Sequence, residues 1–289
     1  MQHRKLHHRL AALILFVTAG TALQPAFAQK KPAPVKSLRV YLFDCGLIKG
    51  LNPASYAIKA EDMKTTDMAV SCYLIVHPKG TLMWDVGIIP DSDFKSGAPV
   101  VQPHGSQTIS SPRPLLPQLA ALGYPPQDIT YLALSHYHFD HVANANAFAA
   151  SIWLVHPDER QAMFAVPPDR QTAYDQLKNS KTISLPKTDY DVFGDGSVVI
   201  KYAPGHTPGH QVLFLKLPKT GPVLIAGDLW HYSEERTATE APKGDPDRAA
   251  TMASRAAMEA FIKQTGAQLW IQHNVDNFSR LPKAPAFIE

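Results

Sequence analysis

The chain has 289 residues, 45% hydrophobic and 18% charged, a globular balance that excludes a disordered or fibrous protein and suffices for one large domain or two small ones. Its formal charge of +3 resides in the first 28 residues, where Arg4, Lys5 and Arg9 face no acid; the remainder carries 25 basic and 25 acidic residues. A neutral body offers no electrostatic ground for binding nucleic acid or an anionic membrane.

In chain order, basic MQHRKLHHRL, apolar AALILFVTAGTAL and the small-x-small site Ala26-Phe27-Ala28 have the layout of a secretory signal peptide over residues 1–28. The apolar run is shorter than the roughly 20 residues that span a bilayer. A secreted or periplasmic protein without stable membrane association is therefore expected. Residues 29–37 read as a proline-rich linker and 38–289 as the folded domain. LRVYLFD, AVSCYLIVH and GTLMWDVG read as strands, being rich in β-branched and aromatic residues. Cys45 and Cys72 fall in strand-like runs; export permits a disulfide, and two buried thiols fit equally well. Residues 90–114 show no periodicity and read as a long loop, a length often reserved for function.

LLPQLAALGY reads as a helix closed by Gly123, DITYLAL as a strand, HVANANAFAA as a helix, IWLVH as a strand and PDERQAMFA as a helix. A charged stretch follows, then strands SVVIKYA, HQVLFLKL and PVLIAG, a helix over 246–265 ended by Gly266, and a last strand, QLWIQ. Strands followed by helices in each half predict α/β layering.

Between DITYLAL and the next helix lies SHYHFDH, with three histidines and an aspartate in seven residues. Strand ends are where α/β proteins place ligands. His136 and His138, two apart, can face one side while Asp140 and His141 are turned away, so one turn can serve two metal ions. Other strand ends supply the rest: His206 in KYAPGHTPGH, Asp228 in LIAGDLW and His273 in LWIQHN. Neutral imidazole and carboxylate are the expected ligands of zinc. A single histidine would read as a hydrogen-bonded structural residue; the recurrence at successive strand ends points to a metal centre.

H-x-H-x-D-H with the later His, Asp and His resembles the metallo-β-lactamase superfamily over about Leu38 to Glu289, and within it is most similar to the N-acyl-homoserine lactonases, which share the phenylalanine of SHYHFDH, the PGHTPGHQ segment and a late strand ending in histidine. The resemblance implies a four-layer αββα sandwich. It implies two divalent ions, zinc by ligand type, one held by His136, His138 and His206, the other by Asp140, His141 and His273, with Asp228 bridging. Two cations sharing a water make hydroxide available near neutral pH, and the implied reaction is opening of a lactone ring, with Asp140 among the catalytic groups. The family often carries a tyrosine three residues after the bridging aspartate. Here that position is His231 and the tyrosine is Tyr232; the phenol of Tyr232 is the expected donor to the substrate, with His231 as the alternative.

Of the other polar residues, His210 is expected to hold a turn, His77, His104 and His156 to be structural, and Asp85 to be either a turn residue or a partner of a metal-bound histidine. An acyl tail would need an apolar groove, which Ile48, Leu51, Ile88, Ile89, Phe94, Val100 and Val101 could supply. The rival chemistries are β-lactam, phosphotriester and thioester hydrolysis, and the rival class is a binding module that retained only the fold. The sequence leaves the oligomeric state open, a homodimer included.

Overall fold

In the computed structural model, residues 32–95, 97–167 and 171–289 are described. The expected signal peptide lies outside the described residues. Eight strands form one sheet: β1 (Arg39–Lys49), β2 (Met68–His77), β3 (Gly80–Trp84), β4 (Val100–His104), β5 (Gln107–Ser111), β6 (Tyr131–Ala133), β7 (Ile152–Val155) and β8 (Thr182–Ser184), in spatial order β4-β5-β1-β2-β3-β6-β7-β8. Five form a second: β9 (Tyr190–Asp191), β10 (Val198–Tyr202), β11 (Gln211–Leu217), β12 (Gly221–Ile225) and β13 (Gln268–Trp270), ordered β13-β12-β11-β10-β9. From β3 to β8 the pairing is parallel, as is β12 with β13, so several chain segments leave their sheets at the same end.

Alternation along the strands sorts side chains between layers. Val40 and Leu42 of β1, Ile75 of β2 and Trp84 of β3 meet Ile200, Leu213, Leu215 and Ile225 of the second sheet in one core. The opposite face of the large sheet, with Phe43, Leu74 and Leu132, buries Leu115 and Leu119 of α1 (Leu115–Ala121), Val142 of α2 (Phe139–Val142) and Met163 of α3 (Pro157–Ala165). Val212, Phe214 and Leu224 on the far side of the small sheet pack against Met258, Phe261 and Ile262 of α4 (Arg248–Thr265). The layers are helix, sheet, sheet, helix, as the family resemblance implies.

Three stretches differ from expectation. Within 90–114, β4 and β5 form an antiparallel hairpin around Gly105-Ser106 that extends the large sheet. Pro103 is accommodated because β4 is an edge strand. The helix expected over 141–150 is only α2 followed by a 3-10 turn, Ala145–Phe148. Asn144 interrupts it: its amide donates to the carbonyls of Val86 and Ile89 at 3.0 and 3.2 Å, and its side-chain oxygen accepts from Asp91 N at 2.8 Å. A short helix, α5 (Val275–Arg280), follows the last strand, N-capped by Asn274. Cys45 and Cys72 form a disulfide joining β1 to β2. Among the described residues no helix is long and apolar enough to cross a membrane.

Candidate metal centre

The turn from β6 into α2 presents His136, His138, Asp140 and His141 together, because α2 begins right after His138 and rotates the last two away from the first two. The turn between β10 and β11 brings His206, the exit of β12 brings Asp228, and the exit of β13 brings His273. In space they make two groups that could each hold a metal ion: His136, His138, His206 and Asp228, and Asp140, His141, Asp228 and His273. Asp228 belongs to both. Its Oδ2 lies 3.4 Å from His206 Nε2 and 3.6 Å from His136 Nε2, and its Oδ1 lies 3.1 Å from His141 Nε2 and 3.0 Å from His273 Nε2. Asp140 Oδ2 stands 3.4 Å from His273 Nε2. His138 Nδ1 and His206 Nε2 are 3.0 Å apart.

Four of these rings are held from behind at Nδ1, His136 by Ser135 Oγ at 3.1 Å, which leaves Nε2 for the centre. His141 Nδ1 is 2.9 Å from Asp85 Oδ2, His206 Nδ1 is 2.9 Å from Asp245 Oδ1, and His273 Nδ1 donates to the Ala69 carbonyl at 2.7 Å. Asp85, one of the two readings left open for it, thus partners a candidate ligand. It also accepts from Ser135 N and Gln272 Nε2, at 2.6 and 2.8 Å, joining the ends of β3, β6 and β13. Asp245 and Gln272 have no signal in the sequence beyond lying near a histidine in the fold. His210 holds a turn as expected: it bonds the Ala203 carbonyl at 3.0 Å and accepts from Asp228 N at 2.9 Å. Gly227, with φ of +52°, is needed there, since a Cβ would lie 2.7 Å from His210 Nε2.

Glu159, on α3, clamps two ligand-bearing turns. One oxygen accepts from Tyr137 N at 2.9 Å; the other accepts from Thr207 Oγ1 and Gly209 N, at 2.7 and 2.9 Å. Burial pushes its carboxyl up to about 7 against those three bonds. His77 pairs with Asp195, His104 stacks on Phe139 and His156 caps α3, all structural roles.

The centre attracts positive charge. Burial would raise the Asp228 carboxyl, but the rings of His273, His141, His136 and His231 override it and hold the carboxyl well below its usual range. His141 is raised despite burial because Asp228, Asp140 and Asp85 face it, whereas burial beside His141 keeps His136 neutral. His136 Nε2, His141 Nε2 and Asp228 Oδ1 are buried with no hydrogen-bond partner. Lone pairs converging on shared points without hydrogen-bond geometry are what cations accept, and imidazole with carboxylate is a donor set suited to zinc and its neighbours. The residues fit a pair of divalent ions.

A cleft of about 280 Å³ opens above the centre, walled by Ile48, Leu51, Tyr56, Met68 and Gln107 and floored by His138, Asp140, His206, Asp228, His231 and His273. The structure sets Tyr232 elsewhere than expected. Its ring is buried in the core beneath Tyr56, 5.3 Å away between centroids, and its hydroxyl finds no partner. Glu235 causes this: its carboxylate accepts from Tyr232 N at 2.9 Å and faces His231 Nδ1 at 3.3 Å, which turns the His231 ring inward, Nε2 lying 3.2 Å from Asp228 Oδ2. Glu235 and Asp228 together raise His231 to about 10 against burial. Arg255 Nη2 donates to Glu235 at 2.6 Å and completes the chain. Of the expected groove residues, Ile48 and Leu51 line the cleft and Ile88 lines an adjoining apolar cavity; Ile89, Phe94, Val100 and Val101 line neither, Ile89 being core and Val101 exposed.

An αββα sandwich with a histidine-aspartate centre at the strand exits defines a metal-dependent hydrolase fold. The chain belongs to the metallo-beta-lactamase superfamily, whose model matches residues 65–268. It is 26% identical over 269 residues to the N-acyl homoserine lactonase AttM of Azorhizobium caulinodans, covering 87% of this chain and 99% of that protein. It is 26% identical over 234 residues to the N-acyl homoserine lactonase AiiA of Bacillus thuringiensis subsp. kurstaki, covering 78% and 89%. Among solved structures it resembles an N-acyl homoserine lactone hydrolase with the product N-hexanoyl-L-homoserine at its catalytic metal centre, with TM-score 0.70, 23% identity and coverage of 88% and 100%. It also resembles AidC, a dizinc quorum-quenching lactonase, with TM-score 0.61, 19% identity and coverage of 90% and 95%.

Proposed function

We propose that the protein is a dinuclear hydrolase that opens the lactone ring of N-acyl homoserine lactones, acting after export with its signal peptide removed. The observation that carries this is Asp228, whose two oxygens face two different histidine groups in one cleft. In this reading His136, His138 and His206 would hold one divalent ion, zinc by donor type, Asp140, His141 and His273 would hold the second, and Asp228 would serve both. Such ions supply a Lewis acid for the ester carbonyl and lower the pKa of water.

The chain's own residues do the rest. Asp140 and Asp228 set the negative charge of the floor, and in this reading Asp140 relays the proton that the attacking water loses to the departing ring oxygen. Asp85 and Asp245 fix the tautomers of His141 and His206. Beside the cleft, sharing His138 and Phe139 with it, an apolar cavity of about 330 Å³ is lined by Ile88, Tyr137, Val142, Val166 and Tyr174. It has the size and chemistry for an acyl tail, which favours an acyl lactone over a cephalosporin. The lactonase relatives support the same substrate class, and the Cys45–Cys72 disulfide suits an oxidising compartment.

The test is acid release from a panel of acyl-homoserine lactones, plain γ- and δ-lactones and a cephalosporin. Acyl lactones are expected to turn over fastest. A cephalosporin opened faster than every lactone would overturn the substrate class while leaving the metal centre in place.

A further inference from the structure

Outside the ligand set the cleft offers three polar side chains, His231, Tyr56 and Gln107. His231 has both nitrogens committed, Nδ1 at 3.3 Å from Glu235 and Nε2 at 3.2 Å from Asp228. Tyr56 is different. It closes a short 3-10 turn, Pro53–Tyr56, in the connection between β1 and β2, and lies in the cleft wall. Among the described residues no hydrogen bond engages its hydroxyl. Its ring stands edge-on to His231, 4.8 Å between centroids. Its phenol can donate one hydrogen bond toward the floor of the cleft.

The turn is built to hold it there. Asn52 caps the first residues by accepting from Ala54 N at 3.1 Å, Lys243 N donates to the Ser55 carbonyl at 2.8 Å, and Leu51 and Ile58 on either side are buried. A polar group fixed by its backbone and left unpaired above a reactive floor is pre-organised for a ligand.

We propose that Tyr56 is the hydroxyl that donates a hydrogen bond to an oxygen of the bound lactone, the task the sequence assigned to Tyr232. This rests on the acyl-lactone reading. Gln107 stands half-buried at the tip of the β4–β5 hairpin, where water competes for its amide.

The experiment compares wild type, Tyr56→Phe and Tyr232→Phe, each zinc-loaded, in three measurements. These are kcat/KM for N-hexanoyl-homoserine lactone, affinity for the ring-opened N-hexanoyl-homoserine by calorimetry, and zinc content. Tyr56→Phe keeps the ring against His231 and should fold normally. It is expected to lose about tenfold or more in kcat/KM and severalfold in product affinity at unchanged zinc content, while Tyr232→Phe stays within about twofold. An active wild type with Tyr56→Phe equal to it in both measurements overturns the assignment to Tyr56 alone. A wild type that neither opens the lactone nor binds the product overturns the substrate reading, and the assignment with it.

Discussion

Arg255→Met isolates the network that aims His231. Arg255 is buried in α4, its Nη2 2.6 Å from Glu235 Oε1 and its Nε 2.7 Å from the Leu229 carbonyl. Glu235 is buried too, and its charge is kept by His231 and Arg255 together. Deleting one partner of a buried ion pair costs about 3–5 kcal/mol, because the other charge stays out of water. Here His231 and the backbone N–H of Tyr232 remain on the carboxylate, so the lower end applies, about 3 kcal/mol. Removing both charges, in Glu235→Gln with Arg255→Met, abolishes the uncompensated charge and should cost less than the single Arg255 change. The assay is urea unfolding at pH 7.5 and fixed zinc, run with kcat on one lactone. Arg255→Met should be destabilised by about 3 kcal/mol. The double variant should lose activity at unchanged zinc content, since His231 is no longer aimed by a charged Glu235, and Arg255→Met should lose less. A loss under about 1 kcal/mol for Arg255→Met, or a double variant as unstable as the two single costs added, would refute the reasoning.

Three further outcomes follow from the same geometry. Asp85→Asn removes the negative charge behind His141 and should weaken binding of one of the two zinc ions by about 10–100-fold, measured by chelator competition; equal affinity for both ions would contradict the pairing. Glu159 sits at about 7 in the fold against an ordinary 4.5. The folded state therefore binds the extra proton between those values, and the stability this contributes is full below 4.5 and lost as pH rises through 7. In metal-free protein, wild type should gain up to about 3 kcal/mol over Glu159→Gln between pH 8 and pH 4.5, at about 1.4 kcal/mol per pH unit; a stability difference that does not change with pH would reject it. Val142→Trp should fill the apolar cavity and erase the rate gain with acyl length, worth about 0.8 kcal/mol per buried CH₂ in the native protein; a long-chain preference that survives the change would place the tail elsewhere.

The ligand-bearing turns were legible because each follows an apolar strand that must end before a polar residue can face the cleft, as at Leu134, Ile225 and Trp270. The groups behind them were not. Asp245 reaches His206 and Glu235 reaches His231 only through the path of the segment between β12 and α4, which periodicity does not encode. Tyr56 enters the cleft across more than 170 residues of sequence from Asp228, and no local pattern marks it. The hairpin in 90–114 was hidden by its short strands, Pro103 and a Gly-Ser turn. The Cys45–Cys72 pairing was left open because it depends on β1 lying beside β2 with a register shift between Asp44 and Gly46. Tyr232 was misplaced for a physical reason: a spacing rule locates a backbone position, while the buried Glu235 decides which of two neighbouring rings turns inward.

The central claim is that Asp228 joins two ions in one cleft, and the most direct measurement is zinc content, by elemental analysis, of wild type and Asp228→Ala purified and loaded in parallel, each assayed on an acyl-homoserine lactone. The account expects two zinc ions per wild-type chain, at most one in Asp228→Ala, and no lactone hydrolysis by that variant. Asp228→Ala retaining two ions and full activity would contradict it.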